Sequence, residues 1–479
     1  MSVSIRLIRE GAPLSIRSQI QLTCKLAAPA ILAQLSTILM QYIDASMVGR
    51  LGAAKSASVG LMNSSLWMFW GVCSMAVMGF SVQVAHRLGA GDDDGARDIL
   101  RQGIVSSLIF STILAAIGAA IAFPLPSWLG GEPEICRGAT IYFLTFIAAL
   151  PLLTMNYLAG GMLRCAGNMK VPGLLNVAMC VLDVVFNFFL IFPTREISIA
   201  GIPLVIPGAD LGILGAALGT VAAEILCAAA MMWWVCCRQA DLRLLGRPRR
   251  SFRPRKAVLA KAARIAVPMT LEHLIFCSAQ ITITIIVAPL GVVAIAANAF
   301  AVTAESLCYM PGFGIGDAAT TLCGQSYGAG RPALVRRFAH LSVALGIAVM
   351  TFMAVVMWIC APWMMEIMTP VEAIQRAGTE VLRIEAWAEP MYAASIVAYG
   401  AFVGVGDTLI PAIMNFGSIW LVRIPLAAVL APVTGLKGVW IAMLCELVFR
   451  GVIFLLRMWK GAWLKPGKVP GPPPEIIET

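Results

Sequence analysis

The chain has 479 residues, of which 59% are hydrophobic and 13% charged, whereas soluble domains carry about 25% charge. This balance excludes an ordinary water-soluble globule and points to a lipid bilayer. The formal net charge of +10 comes from 35 Lys and Arg against 25 Asp and Glu, and the basic residues gather in connections between apolar stretches, so the charge reports topology and does not call for a nucleic-acid partner.

Residues 1–22 form a basic, polar leading segment without the pattern of a cleaved signal peptide, because the first apolar run continues as a full span. Twelve apolar stretches follow, near 23–45, 58–85, 102–126, 138–162, 172–193, 211–236, 264–288, 296–325, 338–360, 378–402, 410–432 and 436–457. Each is long enough to cross roughly 30 Å of hydrocarbon as a helix. Helices are required because lipid-facing backbone must satisfy its own hydrogen bonds. The expected fold is all-α and integral to the membrane, with twelve transmembrane helices. They divide into an N-lobe at 23–237 and a C-lobe at 264–457, joined by a basic linker at 238–263 and followed by a Pro-rich tail at 458–479.

With both termini and the even-numbered connections on one side, 27 Lys and Arg lie there, while six (Arg50, Lys55, Arg137, Arg195, Arg376 and Lys437) lie opposite. Arg383 and Arg423 fall within spans. The bias makes the terminus-bearing side cytoplasmic and the protein a multi-pass component of a plasma or inner membrane. The run RPRRSFRPRK belongs to the linker and is read as part of the same signal.

The two halves repeat at a fixed offset of 239 residues, without gaps. The offset pairs Pro29 with Pro268, Gly52 with Gly291, Gly91 with Gly330, Pro151 with Pro390, Gly167 with Gly406 and Pro172 with Pro411. Proline and glycine fix backbone geometry, so their joint recurrence predicts two parallel six-helix lobes built to one plan and enclosing a site.

The chain has no GxxxxGK[ST] phosphate cradle. A transporter without one draws its energy from an ion gradient, which requires ionisable groups inside the membrane. A carboxylate within a span costs about 3 kcal/mol by insertion scales, so each needs a reason. Asp44 lies in the first span and Asp183 in the fifth; their repeat partners are Ile283 and Val422, so neither acid belongs to the shared scaffold. Asn187 follows Asp183 by one helical turn and Asn176 precedes it by two, giving a candidate coupling set for H⁺ or Na⁺. The second half has Glu272, Glu305 and Glu389 as candidates for a cavity that receives cationic substrate, with His273 beside Glu272. The plainer alternative has Glu389 capping or bracing the break at Pro390, Glu305 pairing across the lobe, and Arg423 and Arg383 neutralising Glu385, Glu389 or Glu446. Asp92, Asp93, Asp94 and Asp98, near Arg97 and Arg101, read as a solvated connection and helix start. The thirteen cysteines, without paired spacing, read as small buried hydrophobes and not as a disulfide or metal framework.

Several longer motifs carry a family resemblance: LAAPAILAQLSTILMQYIDASMVGRLGA in the first span, VAHRLGAGDDDGAR after the second, then VAPLGVVAIAANAF, PGFGIGDAATTLCGQSYGAGR and EPMYAASIVAYGAFVGVGDTLIP in the second half. Together and in order, over about residues 20–460, they resemble the multidrug and toxic compound extrusion (MATE) transporters of the bacterial NorM and DinF types. The resemblance implies two six-helix lobes forming a V, and export of cationic or amphipathic compounds against H⁺ or Na⁺ entry by a monomer without a cofactor. The expected partners are a small-molecule xenobiotic or metabolite and the bilayer. Transporters of this type often carry acids at the places of Asp44 and Asp183. The chain departs from the pattern where Met179 replaces a common Asn, and where Phe276 and Tyr392 stand at acids of the NorM-like branch. Glu272 and Glu389 fall about one turn earlier than those two places.

A flippase for a lipid-linked intermediate is the alternative within transport, but it would favour a basic cavity and the spans here carry mainly acids. A membrane-embedded enzyme would need a clustered nucleophile or metal set, which the scattered His86, His273 and His340 do not supply.

Overall fold

The computed structural model describes residues 7–10, 12–199, 202–245 and 252–464. The linker centre at 246–251 and most of the expected tail, 465–479, lie outside the described residues. In chain order the helices are α1 Ile16–Gly49, α2 Ala53–Gly89, α3 Asp93–Ile121, α4 Pro133–Cys165, α5 Lys170–Ile191 and α6 Gly212–Arg238. The second half has α7 Lys256–Leu290, α8 Val292–Gly328, α9 Pro332–Met368, a split α10 (α10a Glu372–Glu385, α10b Glu389–Gly404), α11 Leu409–Thr434 and α12 Leu436–Lys460. Eleven helices among the described residues are long and apolar enough to cross a membrane. The twelfth crossing is α10, whose two pieces are too short to qualify separately. The result is the expected arrangement of two six-helix lobes, one formed by α1–α6 and the other by α7–α12.

Element boundaries reproduce the repeat. The starts of α2 and α8 (53 and 292), α3 and α9 (93 and 332), α4 and α10a (133 and 372) and α5 and α11 (170 and 409) each differ by 239. Gly52 (φ 101°) and Gly291 (φ 95°) recur because both turn the chain with positive φ, as do Gly167 (φ 77°) and Gly406 (φ 81°). The register then breaks. The sixth helices start at 212 and 436, a difference of 224, because an antiparallel hairpin (β1 Pro193–Ile199, β2 Ile202–Ala209) stands between α5 and α6. The expected all-α fold thus carries a small two-stranded addition.

Three other expectations need correction. The first helix begins at Ile16, inside the expected leading segment 1–22, and α7 begins at Lys256, inside the expected linker 238–263. Pro151 lies within an unbroken α4, whereas the helix stops before Pro390 and turns through Trp387 and Ala388, so equivalent prolines give different results in the two lobes. Proline removes one backbone donor at each place, and the packing around it decides whether the helix continues. The acidic start of α3 is not simply solvated. Arg97, Asp98 and Arg101 are buried, with Arg255 of the linker paired to Asp98 and its amide donating to Gln102 Oε1 at 2.8 Å.

The lobes meet along α1 against α8 and α2 against α7. Close approach depends on absent side chains: a Cβ on Gly314 of α8 would lie 2.7 Å from the Ile31 amide of α1, and one on Gly79 of α2 would lie 2.4 Å from Ala262 O of α7. The leading segment also ties the halves together. Arg9 reaches Asp93 of the N-lobe at 3.5 Å and Asp241 at the start of the linker at 3.3 Å, while Arg331 of the C-lobe donates to the carbonyls of Leu7, Ile8 and Ala12.

Candidate functional site

Asp183 and Asn187 sit one turn apart on α5, on the face turned toward α1. Asn187 Nδ2 donates to Asp44 Oδ1 at 2.9 Å and to Asp183 Oδ2 at 3.2 Å, so one amide ties the acid of α1 to the acid of α5. Both α5 side chains are buried. The helices can come this close because α5 carries Gly173 where it crosses α1: a Cβ there would lie 2.8 Å from Pro29 O. On the other side, Gly219 of α6 leaves room for the amide, since its Cβ would fall 2.1 Å from Asn187 Oδ1.

Asp183 Oδ1 and Asn187 Oδ1 are buried and meet no donor among the described residues. The site therefore retains acceptor capacity. Two carboxylates that share one amide repel each other when both are charged, and a proton or a monovalent cation between them relieves that repulsion. Of the expected coupling set, Asp44, Asp183 and Asn187 are brought together. Asn176 is not: its recorded side-chain contact is Cys227 on α6, with Sγ 4.0 Å from Oδ1. Seven residues is slightly less than two full turns, and α6 takes up the amide that the spacing assigned to the acids.

Glu224 of α6 was absent from the expected set, yet it lies within electrostatic range of Asp183 and of Tyr157. Its signal was present in the sequence: it is the only charged residue in GILGAALGTVAAEILCAAAMMW.

The second-lobe acids separate into two groups. Glu272 of α7 accepts from Tyr399 Oη of α10b at 2.6 Å and from Asn415 Nδ2 of α11, so it is pinned inside the lobe. Glu305, Glu385, Glu389 and Glu446 gather deeper, with Arg423 and Arg450. Arg423 Nη2 pairs with Glu446 Oε2 at 2.7 Å and Arg450 Nε with Glu446 Oε1 at 2.9 Å. Arg423 thus neutralises an acid as expected. Arg383 does not; its guanidinium lies 4.9 Å over the Trp358 ring and donates to Trp358 O. Arg450, counted with the terminus-side charges, is buried within α12 and belongs to neither side. Glu305, Tyr309, Tyr392, Arg423 and Arg450 line a cavity of about 70 Å³. Glu389 does not cap α10b: Ala388 occupies the N-cap position, and the Cys308 thiol lies beside the Glu389 carboxylate. His273 packs at the seam between the lobes, its ring 5.3 Å from that of Trp67 and directly over Gly71.

A further set of polar contacts closes the terminus-bearing end between the lobes. His86 Nε2 lies 2.8 Å from Gly404 O, Thr321 Oγ1 donates to Arg164 O at 3.1 Å, and Gln325 Nε2 donates to Cys165 O at 2.6 Å. Arg164 Nε is 3.8 Å from Asp317 Oδ2.

The family profile MatE matches residues 29–189 and 268–429, two segments whose starts again differ by 239. The probable multidrug resistance protein NorM of Thermotoga maritima is 26% identical over 444 residues, covering 92% of each chain. The multidrug resistance protein PmpM of Pseudomonas aeruginosa is 22% identical over 460 residues, covering 94% of this chain and 93% of its own. The crystal structure of a mutant of the Vibrio cholerae MATE transporter VcmN superposes with a TM-score of 0.85 at 19% identity, covering 94% of this chain and 98% of that one, which shows the shared fold.

Proposed function

The chain belongs to the MatE family, and from that premise we propose that it is a secondary multidrug exporter, moving organic cationic or amphipathic compounds out of the cell in exchange for H⁺ or Na⁺. The observation that carries the reading is the Asn187 amide shared between Asp44 and Asp183, a buried site with free acceptor oxygens in a lobe whose repeat partner lacks both acids. The names of relatives, multidrug resistance proteins NorM and PmpM, support the substrate class.

Exchange requires that ion and substrate favour different arrangements of the lobes. An ion loaded at Asp44 and Asp183 removes the repulsion between them and draws α1 toward α5. α1 also forms a seam with the opposite lobe through Gly314. A change in how α1 sits against α5 is therefore felt at the interlobe contact, and Pro29, within α1, supplies a point where the helix can bend. The excess of basic residues supports a cytoplasmic terminus-bearing side. Moving Arg450 from that side to the buried interior leaves 26 basic residues there against six opposite, so the bias survives the correction.

The test is reconstitution in liposomes with either a proton or a sodium gradient imposed, following efflux of a cationic dye. Wild-type protein transports when one of the two gradients is present, and Asp44→Asn stays folded and inserted but loses gradient-driven transport. Full activity in Asp44→Asn would remove Asp44 as the coupling group. Transport indifferent to both gradients would remove the exchange mechanism itself.

A further inference from the structure

We propose that Asp317 is the carboxylate that receives a cationic substrate at the terminus-bearing end of the cleft, and that Arg164 occupies it while that end is closed. The proposal rests on the export reading for its substrate class. Its ground is the ion pair between α4 of one lobe and α8 of the other, with Arg164 Nε 3.8 Å from Asp317 Oδ2.

The contacts around this pair differ from it in kind. His86 with Gly404 O, Thr321 with Arg164 O and Gln325 with Cys165 O each join a side chain to a carbonyl. When the lobes part, those groups are left polar but neutral, and water entering the gap satisfies them. Parting Arg164 from Asp317 instead exposes two charges. The two residues are not equally placed to bear this. Arg164 is next to last in α4, and its side chain, which here folds back over Gly160, is long enough to swing out to the aqueous end when the lobes part. Asp317 lies within α8, which runs on for eleven more residues to Gly328, so its short side chain remains in the cleft wall. It therefore needs a new cation, and a substrate entering from that end supplies one.

Two features make the site exchangeable. The pair is long and carries no hydrogen bond in this geometry, unlike the 2.7 Å contact of Arg423 with Glu446. The Asp317 and Arg164 side chains also retain 24% and 26% exposure, whereas Glu446 is fully buried. Asp317 is thus an accessible acid whose present partner is weakly held, and the cleft between the lobes is where substrate must pass. Opening the closed end and binding a cationic substrate become linked events: the substrate stabilises the parted arrangement because it takes the place of Arg164.

Binding of tetraphenylphosphonium to purified full-length protein, measured by calorimetry, tests this, with triphenylphosphine oxide as a neutral probe of similar size. Asp317→Asn should weaken tetraphenylphosphonium binding about tenfold and leave the neutral probe unchanged, and Asp317→Glu should recover most of the loss. Arg164→Met removes the competing cation and should tighten tetraphenylphosphonium binding, an outcome that a damaged fold does not produce. Equal losses for both probes in Asp317→Asn, or weaker cation binding in Arg164→Met, would overturn the proposal, as would a wild-type protein that binds no tetraphenylphosphonium. Asp317-dependent binding by a protein that exports nothing under either gradient would support this site and overturn only the transport reading.

Discussion

Gly219→Ala tests the coupling site without touching an ionisable group. The added methyl would lie 2.1 Å from Asn187 Oδ1 and 3.1 Å from both Asn187 Cγ and its backbone nitrogen. Ordinary contact begins at 3.4 Å, so the amide oxygen has to retreat by at least 1.3 Å, the difference between the two distances. The Nδ2 bonds to Asp44 and Asp183, at 2.9 and 3.2 Å, do not both survive a displacement of that size. Hydrogen bonds to charged groups contribute about 1.5–3 kcal/mol each, so losing one of the two weakens the link between α1 and α5 by about 1.5–3 kcal/mol at the site. Global stability falls by less, because alanine is favoured over glycine in a helix by about 1 kcal/mol. The expected outcome is a protein that inserts and melts cooperatively near the wild-type temperature but loses most ion-driven dye efflux in proteoliposomes. Wild-type coupling in Gly219→Ala would show that the shared amide is dispensable and would refute the reasoning.

Glu446→Gln leaves Arg423 and Arg450 buried without their carboxylate; breaking such a pair costs about 3–5 kcal/mol, visible as a lower melting temperature in detergent, and an unchanged melt would remove the pair from the fold's support. Glu272→Gln should reduce export of cationic and neutral probes alike, since Tyr399 and Asn415 already hold that carboxylate inside the lobe; a loss confined to cations would put Glu272 in the substrate path. Asp98→Asn frees Arg255 of its partner and should speed tryptic cleavage after Arg255, read on a gel against wild type, while equal rates would mean that the linker is held elsewhere.

Much of this molecule is legible in the chain because a bilayer leaves the backbone few choices. Apolar stretches have to be helices, and recurring prolines and glycines at an offset of 239 give the lobe plan down to the starts of four helix pairs. Asp44 and Asp183 stand out for a similar reason, since a carboxylate in a span has a cost that an apolar repeat partner does not explain. The same rule applied to α6 finds Glu224. Spacing along one helix also yields Asn187, but it misplaces Asn176, because helical periodicity gives a face and not the neighbour that the face meets.

What the chain alone did not decide are pairings between distant helices. Pro151 and Pro390 are equivalent in sequence, yet one sits in a continuous helix and the other follows a break. Arg423 and Arg383 look alike as basic residues in spans, yet one meets Glu446 and the other Trp358. Arg164 and Asp317, 153 positions apart by subtraction, face each other only because the lobes close at one end. Local sequence fixes the helix and the face it presents, through backbone geometry and the cost of charge in lipid. Which side chain completes a charge across a seam depends on how two packed lobes meet, and tertiary structure alone decides that.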